Sequence, residues 1–259
     1  DPARLVASAA KIRGELGWIL YAGVSLVVAG AGLLVKENLA AIGTLGIAIG
    51  LGVAALVPLA WVIRVAPAFS WSEASSPHLA FDYILLLGLL LAGGDLAFIE
   101  YQFTPLGASW PWHLFFVAVA AFVFAVRYDS RVALSLALSS FAAWRGVSVS
   151  FLEWSWWSQE GVRVNMIVCG LLFVGLGALF VRTGRKAHFE PVATGLGWTL
   201  LLGALFQGEI QTDDRAGLAY AAALLAIGGG LCVWAFRRGR FALFAVGVVG
   251  AYMGLCGVV

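Results

Sequence analysis

Runs of about 20 mostly apolar residues recur nine times along this sequence, separated by short connections rich in charged or turn-forming residues. An α-helix crosses the hydrocarbon core of a bilayer with about 20 apolar residues, at a rise of about 1.5 Å per residue. Each run therefore predicts a membrane-spanning helix, and no connection is long enough to form a soluble domain. We predict an all-α, polytopic transmembrane helix bundle in which residues 1–259 form a single transmembrane domain. The predicted spans are 15–35, 41–64, 81–103, 110–126, 132–152, 163–181, 189–207, 216–236 and 241–259.

The overall composition leads to the same class of protein. Hydrophobic residues make up 62% of the chain, charged residues make up 12%, and the mean hydropathy is +0.95. Soluble proteins are about half apolar and about a quarter charged, so no soluble fold of this size could bury so much apolar surface. The composition thus predicts an integral membrane protein. The chain begins at Asp1 rather than at a methionine, and we expect the natural N-terminus to lie upstream.

The distribution of Lys and Arg predicts the orientation of the spans. If the N-terminus is cytoplasmic, 12 of the 16 basic residues fall on the cytoplasmic side, and only Lys36, Arg145, Arg163 and Arg215 fall outside. Basic loops are retained in the cytoplasm during insertion. We therefore predict a cytoplasmic N-terminus and an external C-terminus.

Two carboxylates interrupt the third predicted span, in the segment LLLAGGDLAFIEYQF at residues 89–103. Asp95 lies 14 residues into this span, and Arg145 lies 14 residues into the fifth span, which begins on the same side. A charge near the middle of a membrane costs ~2.5 kcal/mol or more, so such residues face the bundle interior or water and usually pair. The matching depths predict an Asp95–Arg145 ion pair.

Further polar residues lie near the predicted outer end of the same spans. Glu100 is about 140° around the helix from Asp95. The two carboxylates therefore do not share a helix face, which disfavours a catalytic acid pair. Gln102, seven residues after Asp95, lies on the same face as Asp95. His113, early in the fourth span, is expected at the depth of Glu100 and could exchange protons with it. Alternatively, both residues contact water at the outer headgroup boundary. Together with Tyr101 they predict an outward-facing polar cavity that binds a ligand or ion, although polar residues that only hold helices together would give the same pattern.

Tryptophans cluster at two predicted outer boundaries. The indole ring is apolar but its N–H needs a partner, so Trp is enriched at the headgroup level. The pattern predicts interfacial anchors, and the alternative is a surface on which a lipid, pigment or sugar stacks. The residues concerned are Trp110 and Trp112 at the start of the fourth span, and Trp154, Trp156 and Trp157 after the fifth.

The motifs of several enzyme classes are absent from the sequence. It has no HExxH, no phosphate-binding Gly-Lys-Ser loop, no GxSxG and no CxxC. Its three cysteines lie singly in apolar runs and its three histidines fall on alternating predicted sides, so we predict no metal site. We also predict no cofactor and no nucleic-acid partner. An intramembrane hydrolase would need a base near Ser139, Ser140 or Ser148, and none is evident in the sequence. On balance we therefore expect a protein that is not an enzyme.

The first half of the chain carries a family resemblance in three segments. They are GELGWILYAGVSLVVAGAGLLVKENLAAIG, FDYILLLGLLLAGGDLAFIEYQFTPLG and HLFFVAVAAFVFAVRYDSRVALSLAL. Over roughly residues 4–146, their order resembles the bacterial polytopic membrane-protein family labelled domain of unknown function "twenty-one fifty-seven". Asn38 stands at the turn after the first span, with Leu39 in place of the aromatic residue of the family, and Arg127 and Arg131 resemble its basic turn.

The closure of the third span, Tyr101, Gln102 and Phe103, resembles the polar-aromatic segment of the same family. Asp95 and Glu100 look like additions of this sequence, so no family role is carried onto them. The resemblance implies a multi-pass protein of the bacterial cytoplasmic (inner) membrane, and it implies no reaction.

Two functional hypotheses follow from these patterns. The first is a transport-type protein that binds a small solute or ion in an outward cavity lined by Asp95, Glu100, His113 and Arg145. The alternative is a non-catalytic scaffold or accessory subunit of a larger membrane complex. Three features support this alternative as strongly as the first hypothesis. They are the short loops, the 32 glycines and the absence of catalytic motifs.

Overall fold

The computed structural model describes residues 2–73, 80–147, 160–212 and 214–258. Within these ranges all regular secondary structure is helical, which confirms the all-α prediction. Two short 3-10 helices, Gly107–Ser109 and Ala187–Phe189, precede longer helices. The α-helices of the described ranges are α1 Pro2–Ile42, α2 Thr44–Val65, α3 Phe81–Phe103, α4 Trp112–Tyr128, α5 Arg131–Trp144, α6 Glu160–Thr183, α7 Glu190–Gln211, α8 Asp214–Arg237 and α9 Phe241–Val258.

Seven of these helices have stretches long and apolar enough to cross a bilayer, which is the architecture of a multi-pass membrane protein. They are α1, α2, α3, α6, α7, α8 and α9. The remaining two, α4 with 17 residues and α5 with 14, are shorter apolar helices. Nine spans and the cytoplasmic N-terminus therefore stay predictions.

The helix limits differ most from the predicted spans at α1 and α5, and a glycine with positive φ follows the C-terminal end of each of these helices. The fifth span was predicted to run to residue 152, but α5 ends at Trp144. Gly146 follows with φ +83°, a conformation that side chains disfavour and that commonly ends a helix. Gly43, with φ +82°, separates α1 from α2, and α1 extends past both ends of the predicted first span.

The chain divides into two compact units, Asp1–Ala137 and Leu138–Val259. The first unit is built around the antiparallel helices α2 and α3. Gly88 of α3 lies so close to α2 that a Cβ atom on it would come within 2.8 Å of the Leu59 side chain. Further along the same contact, Gly52 of α2 lies against Asp95 of α3.

One end of the first unit is held by polar contacts between connections. Arg127, at the end of α4, donates a hydrogen bond of 3.2 Å to the carbonyl oxygen of Pro67. Arg131, at the start of α5, pairs with Glu73 at 2.7 Å. These contacts bring the α2–α3 connection to the α4–α5 turn at one end of the unit.

The second unit contains two antiparallel pairs, α6 with α7 and α8 with α9, in which glycines let the backbones approach closely. A Cβ atom on Gly197 would lie 2.8 Å from the carbonyl oxygen of Gly170. A Cβ atom on Gly228 would lie 2.5 Å from the backbone nitrogen of Ala251. Because lipid gives apolar helices no hydrophobic reason to associate, close van der Waals packing of small residues is what holds such pairs together.

Two further features join the pairs of the second unit. A buried apolar cluster of Leu202, Leu224 and Leu231 links α7 to α8. Arg240, in the α8–α9 turn, forms an ion pair with Glu190, the first residue of α7. The α6–α7 and α8–α9 turns therefore lie at the same end of this unit, which we call its basic end because the two turns carry Arg185, Lys186, Arg238 and Arg240.

Candidate functional site

Asp95 lies in the interior of α3 with its carboxylate turned toward α2. Its Oδ2 atom is 3.2 Å from the position that a Cβ atom on Gly52 would occupy, so the absence of a side chain there makes room for the carboxylate. Its Oδ1 atom is buried and has no hydrogen-bond partner among the described residues. Asp95 is thus a carboxylate inside a membrane-capable helix that the described part of the chain leaves unsatisfied.

Glu100 is buried near the end of α3 and closes the loop that follows the helix. Both of its carboxylate oxygens accept from the backbone N–H of Leu106, at 3.3 and 3.1 Å. Thr104, with φ +46°, ends the helix between these residues. The geometry gives Glu100 a local structural role.

His113 is buried in the first turn of α4, and its nearest polar contact is also local. Its Nδ1 atom lies 2.5 Å from the carbonyl oxygen of Trp110, and its ring stacks on the Trp110 ring at 5.6 Å between centroids. A carbonyl can only accept, so Nδ1 carries the proton. Within the described residues no hydrogen bond joins His113 to Glu100. Tyr101 is 80% exposed and Gln102 is half-buried, so neither residue is enclosed in a cavity.

Arg145 follows the end of α5, in the second unit, and is exposed. Its guanidinium donates to Oδ1 of Asn165 at 2.8 Å, while Nδ2 of Asn165 donates to the carbonyl oxygen of Arg145 at 2.6 Å. This reciprocal pair ties the end of α5 to α6. Asp95 belongs to the other unit, and the predicted Asp95–Arg145 ion pair stays a prediction.

Two of the predicted tryptophan anchors can be placed. Trp110 and Trp112 are 41% and 45% exposed at the start of α4, where an indole ring could reach a headgroup region. Trp154, Trp156 and Trp157 lie outside the described residues. The interfacial role of all five stays a prediction.

The second unit contains a cavity of about 640 Å³ between α6, α7 and α8, which we call the α6–α8 cavity. Its walls follow single helix faces, because the lining residues recur every three or four positions. They include Val174, Ala178 and Arg182 on α6, Glu190, Thr194 and Trp198 on α7, and Ile227, Leu231 and Trp234 on α8. The cavity thus has a charged end, at Arg182 and Glu190, and an apolar end deeper along the helices.

The charged end of the α6–α8 cavity is organised around Glu190. The carboxylate of Glu190 is buried, pairs with Arg240 and accepts a hydrogen bond of 3.2 Å from the Thr194 hydroxyl. The guanidinium groups of Arg238 and Arg240 lie 5.6 and 5.2 Å from the ring centroid of Trp234, on α8. Cation–π attraction and the ion pair together fix the aromatic and charged groups at this end.

Sequence reasoning did not single out the α6–α8 cavity. Its arginines were counted only as a sign of orientation, and Trp198 and Trp234 lie in otherwise ordinary apolar runs. One available signal was Glu190, an acidic residue between a basic loop and an apolar run. Only the fold brings it beside Arg240, 50 positions further along the chain.

Across the described ranges, no three His, Cys, Asp or Glu side chains come together in a group that could hold a metal ion. The chain matches no family model. It matches no curated protein and no solved structure either.

Proposed function

We propose that this multi-pass membrane protein acts in the bacterial inner membrane as a transport-type protein that binds a proton or a small cation at Asp95. The observation that supports the proposal is the buried Oδ1 atom of Asp95, which lacks a hydrogen-bond partner among the described residues. Ionisable residues inside membrane helices are rare, and they commonly mark ion pathways and proton relays.

The energetics of burial explain why a ligand is expected there. An ionised carboxylate without partners is strongly disfavoured in a medium of low dielectric constant, and such a group either takes up a proton or meets a cation. Asp95 lies 14 residues beyond Phe81 at the start of α3, about 21 Å along the helix axis. A group at this depth exchanges its proton or cation only along a path through the bundle.

Four polar residues lie beyond Asp95, toward the end of α3 and the start of α4. They are Glu100, Tyr101, Gln102 and His113. In this proposal they form the outer approach to Asp95 within the first unit. Nδ1 of His113 is engaged by Trp110, so Nε2 is the atom through which the imidazole would accept a proton.

The proposal predicts that Asp95→Asn abolishes ion flux. Proteoliposomes loaded with a pH-sensitive dye would report proton movement down an imposed gradient, and a second set loaded with a sodium-sensitive dye would report sodium movement. We expect flux through the wild-type protein, and we expect the variant to fall to the rate of protein-free vesicles, because an amide neither ionises nor binds a cation strongly.

Asp82→Asn is the matched control, since it makes the same chemical change in the first turn of the same helix. We expect this control to keep the wild-type flux, and both variants to keep the wild-type unfolding temperature. Wild-type flux through the Asp95→Asn protein would refute the role of Asp95, and equal flux from protein-free and wild-type vesicles would refute transport of these ions.

The scaffold or accessory-subunit alternative is favoured by one observation, the exposure of α1. Leu26, Leu33 and Leu34 are 73%, 61% and 63% exposed along this helix. Lipid or a partner helix could cover them. Stoichiometric copurification of another membrane protein in mild detergent, lost on polar substitution of these leucines, would favour the scaffold.

A further inference from the structure

The α6–α8 cavity has an excess of positive charge at one end. Three arginines and one glutamate line it, and Glu190 is already paired with Arg240. Arg182 and Arg238 have no carboxylate partner among the described residues, and the Arg238 guanidinium instead lies over the Trp234 ring. Two guanidinium groups are therefore available to an anion.

The first turn of α7 adds to this preference for an anion. The helix begins at Glu190, at the same end of the cavity, so the positive end of its dipole lies there, although the backbone N–H of Glu190 is already bonded to the carbonyl oxygen of Ala187 and Pro191 has no N–H. Glu190 does not cancel the effect, since its charge is matched by Arg240. The charged end of the cavity is suited to a phosphate or a carboxylate.

The rest of the cavity is suited to an apolar chain. From Arg182 back to Val174, and from Glu190 forward to Trp198, the lining extends eight residues, or about 12 Å along each helix. Over this length the α6 and α8 walls present Ala178, Ile227 and Leu231. A soluble anion would leave this apolar surface without a partner.

The cavity is also open along α8, beside two lining residues that are partly exposed. Ile227 and Trp234, both lining residues, are each 40% exposed, and their exposed faces belong to membrane-capable α8. A lipid in the surrounding leaflet could therefore enter laterally, with its phosphate at the level of the arginines. Trp234 lies where the amphipathic indole ring is favoured, between acyl chains and headgroups.

We propose that the α6–α8 cavity is a binding site for an anionic phospholipid, with the phosphate held by Arg182 and Arg238 and an acyl chain lying along the apolar wall. Basic pockets between membrane helices on the cytoplasmic side are suited to anionic lipid headgroups. The volume of about 640 Å³ lies within the range of ligand cavities and would hold the headgroup region and the first part of the chains. The proposal does not depend on the role of Asp95.

Native mass spectrometry of the full chain, with phosphatidylglycerol titrated into the detergent, would test the site. The double variant Arg182→Gln with Arg238→Gln should weaken the tightest phosphatidylglycerol binding by roughly thirtyfold, from the attraction of two arginines for an anionic headgroup. The matched control is Arg185→Gln with Arg237→Gln, which removes the same charge from the same end without touching the cavity lining. We expect this control to bind within about twofold of wild type if the site is local rather than a general charge effect.

A second variant tests the apolar half without changing any charge. Gly230 lines the cavity, and a Cβ atom built on it would meet nothing within 4 Å, so Gly230→Leu should fold while filling the space for the chain. We expect it to lose phosphatidylglycerol binding to a similar extent. Wild-type binding by this variant would overturn the placement of the acyl chain.

Three results would overturn the identification of the ligand as an anionic phospholipid. Equal affinity for phosphatidylcholine would show that the arginines do not select an anion. Displacement of the lipid by millimolar inorganic phosphate or glycerol phosphate would identify a soluble phosphate as the ligand. Equal losses of phosphatidylglycerol binding in the two double variants would show that binding depends only on the net charge of the basic end.

Discussion

The substitution Gly228→Ala should destabilise the second unit by about 3 kcal/mol, although it adds a single methyl group. The added carbon would lie 2.5 Å from the backbone nitrogen of Ala251 and 2.9 Å from the carbonyl oxygen of Gly247. Both neighbours are backbone atoms, so no side chain can rotate away and α8 must separate from α9. Separation removes the close contacts that hold apolar helices together in lipid. Thermal unfolding in detergent, followed by far-ultraviolet circular dichroism, would measure the loss.

The adjacent glycine provides the control. A Cβ atom on Gly229 would meet nothing within 4 Å, so Gly229→Ala makes the same chemical change on the open side of the same helix. We expect this variant to match the wild-type protein or to gain up to about 1 kcal/mol, because alanine is the better helix former. Equal stability of the two variants would contradict the close approach of α8 and α9.

Removal of the Arg240 side chain should destabilise the second unit by a similar amount, because it breaks a buried ion pair. The side chain of Glu190 is 9% exposed, and Arg240 is its ionic partner. Removing one partner of a buried ion pair leaves a charge without compensation and typically costs 3–5 kcal/mol. We expect Arg240→Met to lower the free energy of unfolding by about 3 kcal/mol, since the arginine itself is partly exposed.

An exposed ion pair elsewhere in the chain serves as the comparison. Arg131 and Glu73 pair at 2.7 Å, with side chains 52% and 62% exposed, so Arg131→Met should cost less than about 1 kcal/mol. Combining Glu190→Gln with Arg240→Met should recover part of the loss, because no buried charge then remains. If the two single variants at Arg240 and Arg131 unfold at the same temperature, Glu190 is not effectively buried.

The helical elements could be predicted from the sequence because their cause is local. In a long apolar run every backbone group must find its hydrogen-bond partner within the run, and the α-helix is essentially the one structure that provides this. Accordingly, α2, α3 and α9 begin or end close to the predicted limits. The prediction was less accurate at α5, where Gly146 ends the helix before the apolar run ends. A positive φ at one glycine depends on its surroundings and leaves little trace in hydropathy.

The polar contacts were less predictable because they join distant positions. Depth along a span correctly singled out Asp95 as a carboxylate inside a helix, but depth alone could not indicate that it faces Gly52. Glu100 and His113 were expected at similar depth, either exchanging protons or contacting water at the headgroup boundary, and each hydrogen-bonds to a backbone group a few residues away. Local partners of this kind are formed by the loop after α3, whose conformation a hydropathy pattern does not specify.

The junction of the α6–α7 and α8–α9 turns has a consequence for biogenesis. The α6–α7 and α8–α9 hairpins can form the Glu190–Arg240 ion pair only if both turns lie on the same side of the bilayer. If the later hairpin inserted upside down, Arg240 would be on the opposite face of the membrane from Glu190, and the carboxylate would have no counter-ion. The ion pair therefore couples the orientation of one hairpin in the membrane to that of the other.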